Sequence, residues 1–168
     1  MEITEKTSCK RITTMELAKM ALIIALYVAI TLVFSTLSFG IVQIRLAEMF
    51  NFLAIYHKRY IGVVTLSVAL ANLLASPFGI TDVLVGSLST LFVLILVHYS
   101  SKYLAKMWQK YVLAILVISF SMFTIAGELV FLTHASFWAS WWSIGTGEFI
   151  SLCFGSVIMY SLSKRVSF

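Results

Sequence analysis

Apolar residues gather along this chain into six long runs, with polar and charged residues falling mostly in the gaps between them. A helix that crosses a membrane needs about 20 mostly apolar residues. On that scale the runs predict helices over about Met15 to Phe34, Ile44 to Tyr56, Tyr60 to Ala75, Ile80 to Ser100, Tyr111 to Leu132 and Ser143 to Ser163, the second being short for a span. The connections are brief: SFGIVQ, HKR, SPFG, a basic stretch around Lys102 to Lys110, and THASFWASWW. A transmembrane β-barrel needs alternating segments of roughly ten residues, whereas these runs are continuous and mostly longer. The pattern therefore predicts an all-α integral membrane protein. A polar segment, residues 1–13, precedes a single six-helix transmembrane domain over residues 14–168.

Composition narrows the class. Of 168 residues, 61% are hydrophobic, 11% are charged and one is proline, and the mean hydropathy is +1.00. Soluble domains average about 45–50% apolar and about 25% charged residues, and a small globule leaves much of its surface in water. A soluble fold is excluded on both counts. Cys9 and Cys153 are far apart and form no disulfide framework or zinc pattern. His134 has no second histidine or cysteine at metal spacing, so no metal and no cofactor is expected. No A-x-A-like cleavage site follows the first run, so no removable signal peptide is expected.

Charge then orients the chain, because cytoplasmic loops carry the excess of Lys and Arg. With the N-terminus inside, Lys6, Lys10, Arg11, Lys19, Lys58, Arg59, Lys102, Lys106, Lys110, Lys164 and Arg165 all fall inside. These are eleven of twelve basic residues, and the exception is Arg45. An even number of spans and cytoplasmic termini follow. The net charge of +5 needs no nucleic-acid partner; it belongs to a rim near anionic lipid heads.

The acids divide the other way. Glu48, Asp82, Glu128 and Glu148 fall toward the outer ends of their predicted helices. Four carboxylates and Arg45 thus make an outer layer with a formal charge near −3. Ionisable groups in a membrane cost at least about 2.5–3.5 kcal/mol each at the centre, and they usually face a cavity or mark a ligand or ion path. Glu128 and Glu148 have no basic residue close by on their own helices and are candidates to meet a cationic or NH-rich ligand. Asp82 either caps its helix or joins them. Arg45, Glu48 and either Asn51 or Phe52 share a face, and Arg45 and Glu48 either pair with each other or meet ligand. Asn72 either caps a helix end or hydrogen-bonds ligand. Phe137, Trp138, Trp141 and Trp142 form either an interfacial belt or a lid that stacks on a flat aromatic ligand. On the first helix, Ala18, Ala21, Ala25 and Ala29 include an AxxxAxxxA ladder from 21 to 29, where another helix can approach closely. That helix belongs either to the same bundle or to a partner. There is no GxxxxGK[ST], HExxH or GxSxG, so the chain carries no motif for ATP hydrolysis and no enzyme activity is expected.

The runs QIRLAEMF (43–50), ALANLLASPFGITDVLVGSLST (69–90), AGELV (126–130) and IGTGEFIS (144–151), in this order and spacing, resemble the QueT family. That family is a set of small six-helix membrane proteins regarded as substrate-binding S-components of energy-coupling-factor (ECF) transporters. The resemblance implies a queuosine precursor as substrate: preQ1, an aminomethyl-deazaguanine, or the related queuine. It also implies partners, a membrane T-component carrying two ATPase subunits, docked through the alanine stripe that Ala21, Ala25 and Ala29 occupy here. Substrate in such proteins sits near the outer face, under the first, third and fifth connections. The implied ligand-binding residues are Gln43, Arg45, Glu48, Asn72, Asp82, Glu128, Trp138, Trp141 and Glu148. An S-component for another flat nutrient such as a vitamin, and a solitary channel or proton-coupled carrier relaying through Glu128 and Glu148, are the competing expectations.

Overall fold

The computed structural model describes residues 13–38 and 43–165. Lys6, Lys10, Arg11 and Cys9, most of the polar leading segment, and residues 39–42 of the first connection lie outside the described residues. Those described are all-α, with no strand among them. The elements are α1 (Thr14–Val33), α2 (Ser35–Ser38), a 3₁₀ segment (Leu46–Phe52) running into α3 (Leu53–Tyr56), α4 (Arg59–Ala75), α5 (Ile80–Ser101), α6 (Met107–Ser121), α7 (Phe123–Thr133) and α8 (Phe137–Ser163). Four stretches are long and apolar enough to cross a membrane: α1, α5, α6 with α7, and α8. The other two apolar helices are shorter. At about 2.0 Å per 3₁₀ residue and 1.5 Å per α residue, Leu46–Tyr56 rises only about 20 Å, short of a hydrocarbon core of about 30 Å.

Local chemistry sets the ends. Thr13 and Glu16 form a capping box at α1: the Glu16 N–H donates to Thr13 Oγ1 at 3.3 Å and the Thr13 N–H to Glu16 Oε2 at 3.0 Å. Gly79, at φ +62°, turns the chain into α5, a backbone position that suits a residue without Cβ. The fifth connection is much shorter than the sequence predicts. FWASWW contains no Gly or Pro, so the helix begins at Phe137 and only His134 to Ser136 link α7 to α8. The predicted fifth helix is interrupted at Met122, giving α6 and α7.

The core lies where α4, the 3₁₀–α3 segment, α5 and α8 meet, around Phe52, Leu53, Val64, Leu94 and Leu152. α4 packs between α1 and α5. Arg59 and Glu16 pair at 2.6 Å, tying the N-terminal ends of α1 and α4 together. His98 Nδ1 donates to the Ala54 carbonyl at 2.7 Å and holds the short α3 against α5. Leu66, Leu73, Leu88, Phe92 and Phe154 are exposed, an arrangement suited to lipid rather than water.

The 3₁₀ segment lies against α8 because Gly155 lets it. A Cβ at Gly155 would come within 2.6 Å of Met49 Cβ and 3.0 Å of its Cα, which cannot swing away. Gly155→Ala is expected to cost about 1–3 kcal/mol, as overpacked cores do, and to lower the melting temperature in detergent. Gly62→Ala, with nothing within 4 Å, is the control, expected to melt no lower than the wild type. Equal melting of the two variants would refute the close approach.

Candidate ligand-binding site

In a 3₁₀ helix residues three apart eclipse one another. Glu48 and Asn51 therefore form one row along one face of the segment, with Arg45 beside them at its N-cap, which makes Asn51 rather than Phe52 the third member. Glu48 is 4% exposed and is the hub of the site. It accepts from the Tyr27 hydroxyl on α1 at 3.1 Å and from the Asn51 amide, and Arg45 Nη1 stands 3.9 Å away. Arg45 also donates to the Ser38 carbonyl and to Gln43 Oε1, both at 3.4 Å. Arg45 and Glu48 thus do pair, loosely. Gln43 sits at φ +48°, a region non-glycine residues seldom occupy and one that collects at functional sites.

Asp82 is buried in the first turn of α5 but is not its N-cap, which is Gly79. Its carboxylate accepts instead from the Ser76 hydroxyl. Asn72 Nδ2 donates to the Asp82 carbonyl at 2.9 Å, so its side chain ties α4 to α5 and does not cap its own helix. This bridge needs Gly86, whose Cβ would fall 2.5 Å from Asn72 Nδ2.

Glu128 and Glu148 are buried, at 9% and 1% exposure. Among the described residues, no hydrogen-bond partner reaches either carboxylate oxygen of Glu128, Oε1 of Glu148 or Oδ1 of Asn51. Glu148 does not lie near the outer end of its helix as the sequence predicts. α8 starts at Phe137, so Glu148 is about 16 Å into it, facing the 3₁₀ segment within electrostatic reach of Glu48 and Arg45. Arg45 lies within the same reach of Asp82 and Glu128. Arg45 therefore lies within electrostatic reach of all four acids and pairs, loosely, with Glu48.

Two small cavities open onto this cluster. One, of about 20 Å³, is lined by Arg45, Glu48 and Asn51 with apolar residues of α5, α6 and α7. The other, of about 10 Å³, is lined by Gln43, Asp82 and Glu128. Asn72, Glu148, Trp138 and Trp141 line neither. The larger hollows, of about 360 and 880 Å³, are apolar grooves lined by outward-facing residues such as Phe92, Leu116 and Phe120. Trp141 and Trp142 border the first of these and Trp138 is exposed, placement that matches an interfacial belt. Trp141 also has a task the sequence did not signal: its indole N–H donates to the Phe120 carbonyl at 3.2 Å, beside the α6–α7 break. The sequence reading missed Tyr27 and Ser76 as well. Tyr27 was detectable in part, as the polar aromatic of the buried stripe Ile23, Tyr27, Thr31.

A model of the QueT transporter family matches residues 17–164. The chain belongs to the QueT transporter family. A similar relative is the queuosine precursor transporter QueT of Lactococcus lactis subsp. cremoris (strain MG1363), 37% identical over 166 residues, covering 94% of this chain and 97% of the relative. No solved structure matches. The family match takes in the alanine ladder and every residue of the cluster from Gln43 to Glu148. Family and relative are transporters rather than enzymes, and with its several apolar helices the chain is a multi-pass protein of the cell membrane.

Arg45 is the cation that balances this cluster. Replacing it with Met leaves Glu48 buried beside further acids, a change expected to cost about 3–5 kcal/mol. Arg45→Lys keeps the charge and should lose less. Thermal unfolding in detergent checks both, and an unchanged midpoint for Arg45→Met would show that the acids need no such balance.

Proposed function

We propose that this chain is the substrate-binding S-component of an ECF-type importer, capturing a queuosine precursor at the outer face for ATP-driven uptake by partner subunits. The observation that carries the ligand class is the surplus of buried acceptors: four carboxylates around one guanidinium, with three carboxylate oxygens unpartnered. preQ1 supplies what such a site lacks, a primary ammonium and a guanine-like edge of N–H donors. Carboxylates bond such donors most strongly when one side is charged. Arg45 and Gln43 can donate to the ring carbonyl. The substrate in the relative's name points the same way.

In this reading the chain makes six passes with both termini cytoplasmic, the 3₁₀–α3 segment and α4 forming the two short ones. The Arg59–Glu16 pair supports a shared inner end for α1 and α4, in line with eleven of twelve basic residues inside. The partner reading rests on α1. Ala18, Ala21, Ala25 and Ala29 are exposed, so the ladder does not pack within this bundle. Only 17% of the apolar stretch of α1 is buried, against 28% to 39% in the other three long spans. A T-component with two ATPase subunits fits that open face and supplies the ATP hydrolysis this chain has no motif for. The mid-helix depth of Glu148 favours a second reading, a solitary carrier relaying through Glu128 and Glu148. Uptake that persists without any ATPase partner would select it.

Titration of the purified protein tests the ligand. preQ1 or queuine is expected to bind below micromolar, guanine more weakly, with no displacement by riboflavin, thiamine or biotin. Micromolar or weaker binding of preQ1, queuine and guanine alike overturns the assignment. For the partner, Ala25→Leu is expected to abolish co-purification with the T-component and ATPases while leaving the titration unchanged; retained co-purification would remove the ladder from the interface.

A further inference from the structure

We infer that the two small cavities are the two ends of one binding site, divided by Ile125, and that the end lined by Asp82 and Glu128 holds the ligand's ammonium. This assignment rests on the proposed function and fixes a ligand orientation within it. Ile125 is 6% exposed and, among the described residues, is the one that lines both cavities. It stands three residues before Glu128 on α7, on the same helix face. A cavity must offer about 10–15 Å³ to admit one water, so each of these, at about 20 and 10 Å³, is water-sized. A bicyclic base fits neither alone and needs both, with Ile125 displaced between them.

The two ends differ in charge. At the first, Arg45 and the Asn51 amide engage Glu48, so a guanidinium held within the protein stands beside Asn51 Oδ1, which no donor among the described residues reaches. That pairing of donor and acceptor suits the carbonyl and N–H edge of a guanine-like ring. At the second, among the described residues no donor reaches either buried carboxylate oxygen of Glu128, and the Asp82 carboxylate, which accepts from Ser76, lies close beside it. Among the described residues, no basic side chain lines this end. An ammonium with three donors matches it, and the ring edge does not.

The helix is irregular at Met122, three residues before Ile125. At the break, Ser121 Oγ donates to the Ile118 carbonyl at 2.6 Å, Thr124 Oγ1 to the Ser121 carbonyl at 2.9 Å and Trp141 to the Phe120 carbonyl. Side-chain donors of this kind let a membrane helix depart from regular pairing without stranding its carbonyls.

Binding of two probes separates the charge from the ring: aminomethyl-deazaguanine, and its cyano analogue with the same ring and no ammonium. Glu128→Gln is expected to weaken the aminomethyl ligand at least tenfold and the cyano ligand by less than about threefold. Asp82→Asn is expected to shift the ratio in the same direction, and it carries the test if Glu128→Gln fails to fold. If the wild type binds and each folded variant weakens both ligands equally, or neither, the orientation is overturned while the function stands. A wild type that binds neither probe overturns both.

Discussion

A single guanidinium, that of Arg45, stands among four buried carboxylates drawn from four different parts of the bundle, and much of the local architecture serves to keep that arrangement intact. Buried acids are costly in an apolar bundle unless cations and donors surround them. The 3₁₀ segment meets this demand by its period. Three residues per turn stack Glu48 and Asn51 on one face, where an α-helix would turn them about 60° apart, and Arg45 joins them from the N-cap. The tight pitch has a structural condition, the approach of Met49 to α8 at Gly155. It also brings the row opposite Glu148. Position, charge and packing in this segment are one constraint seen at three scales.

The same logic explains α7. A helix crossing a membrane rarely breaks, because freed carbonyls find no water. Here the neighbourhood of the break is lined with donors from Ser121, Thr124 and, across from α8, Trp141. Ser89 of α5 and Thr124 of α7 share a further hydrogen bond at 2.7 Å. Ile125 and Glu128 thus ride just beyond the irregular turn at Met122, in a part of the span that polar links tie to α5 and α8.

Much of this was legible from residues alone. Apolar run length located all six helical regions, since that signal depends only on the thickness of a membrane. The buried acids and Arg45 were visible because charges inside apolar runs are conspicuous. What escaped detection depended on geometry that sequence encodes weakly. No periodicity separates 3₁₀ from α over seven residues, so the membership of Asn51 in the row stayed open. FWASWW looked like a connection because tryptophans gather at interfaces, yet nothing in it breaks a helix; extending α8 through it moved Glu148 from one turn to about 16 Å along the helix. Asp82 looked like a cap because it opens an apolar run, but Gly79 takes that position and frees the carboxylate to face the cavity. Ser76 and Tyr27 were missed because their roles arise across helices and not along one.

Tyr27 also shows how two surfaces of one helix are linked. Ala25 and Ala29 lie two residues before and after it on the exposed side of α1, while its own ring is buried and its hydroxyl donates to Glu48. That bond is 3.1 Å long, already just beyond the usual range of about 2.5–3.0 Å for an O–H donor. A shift of α1 by about an ångström relative to the 3₁₀ segment therefore breaks it and leaves Glu48 with Asn51 and a guanidinium 3.9 Å away. The exposed ladder and the acid cluster sit on opposite faces of one helix, so displacement of the first displaces a donor to the second.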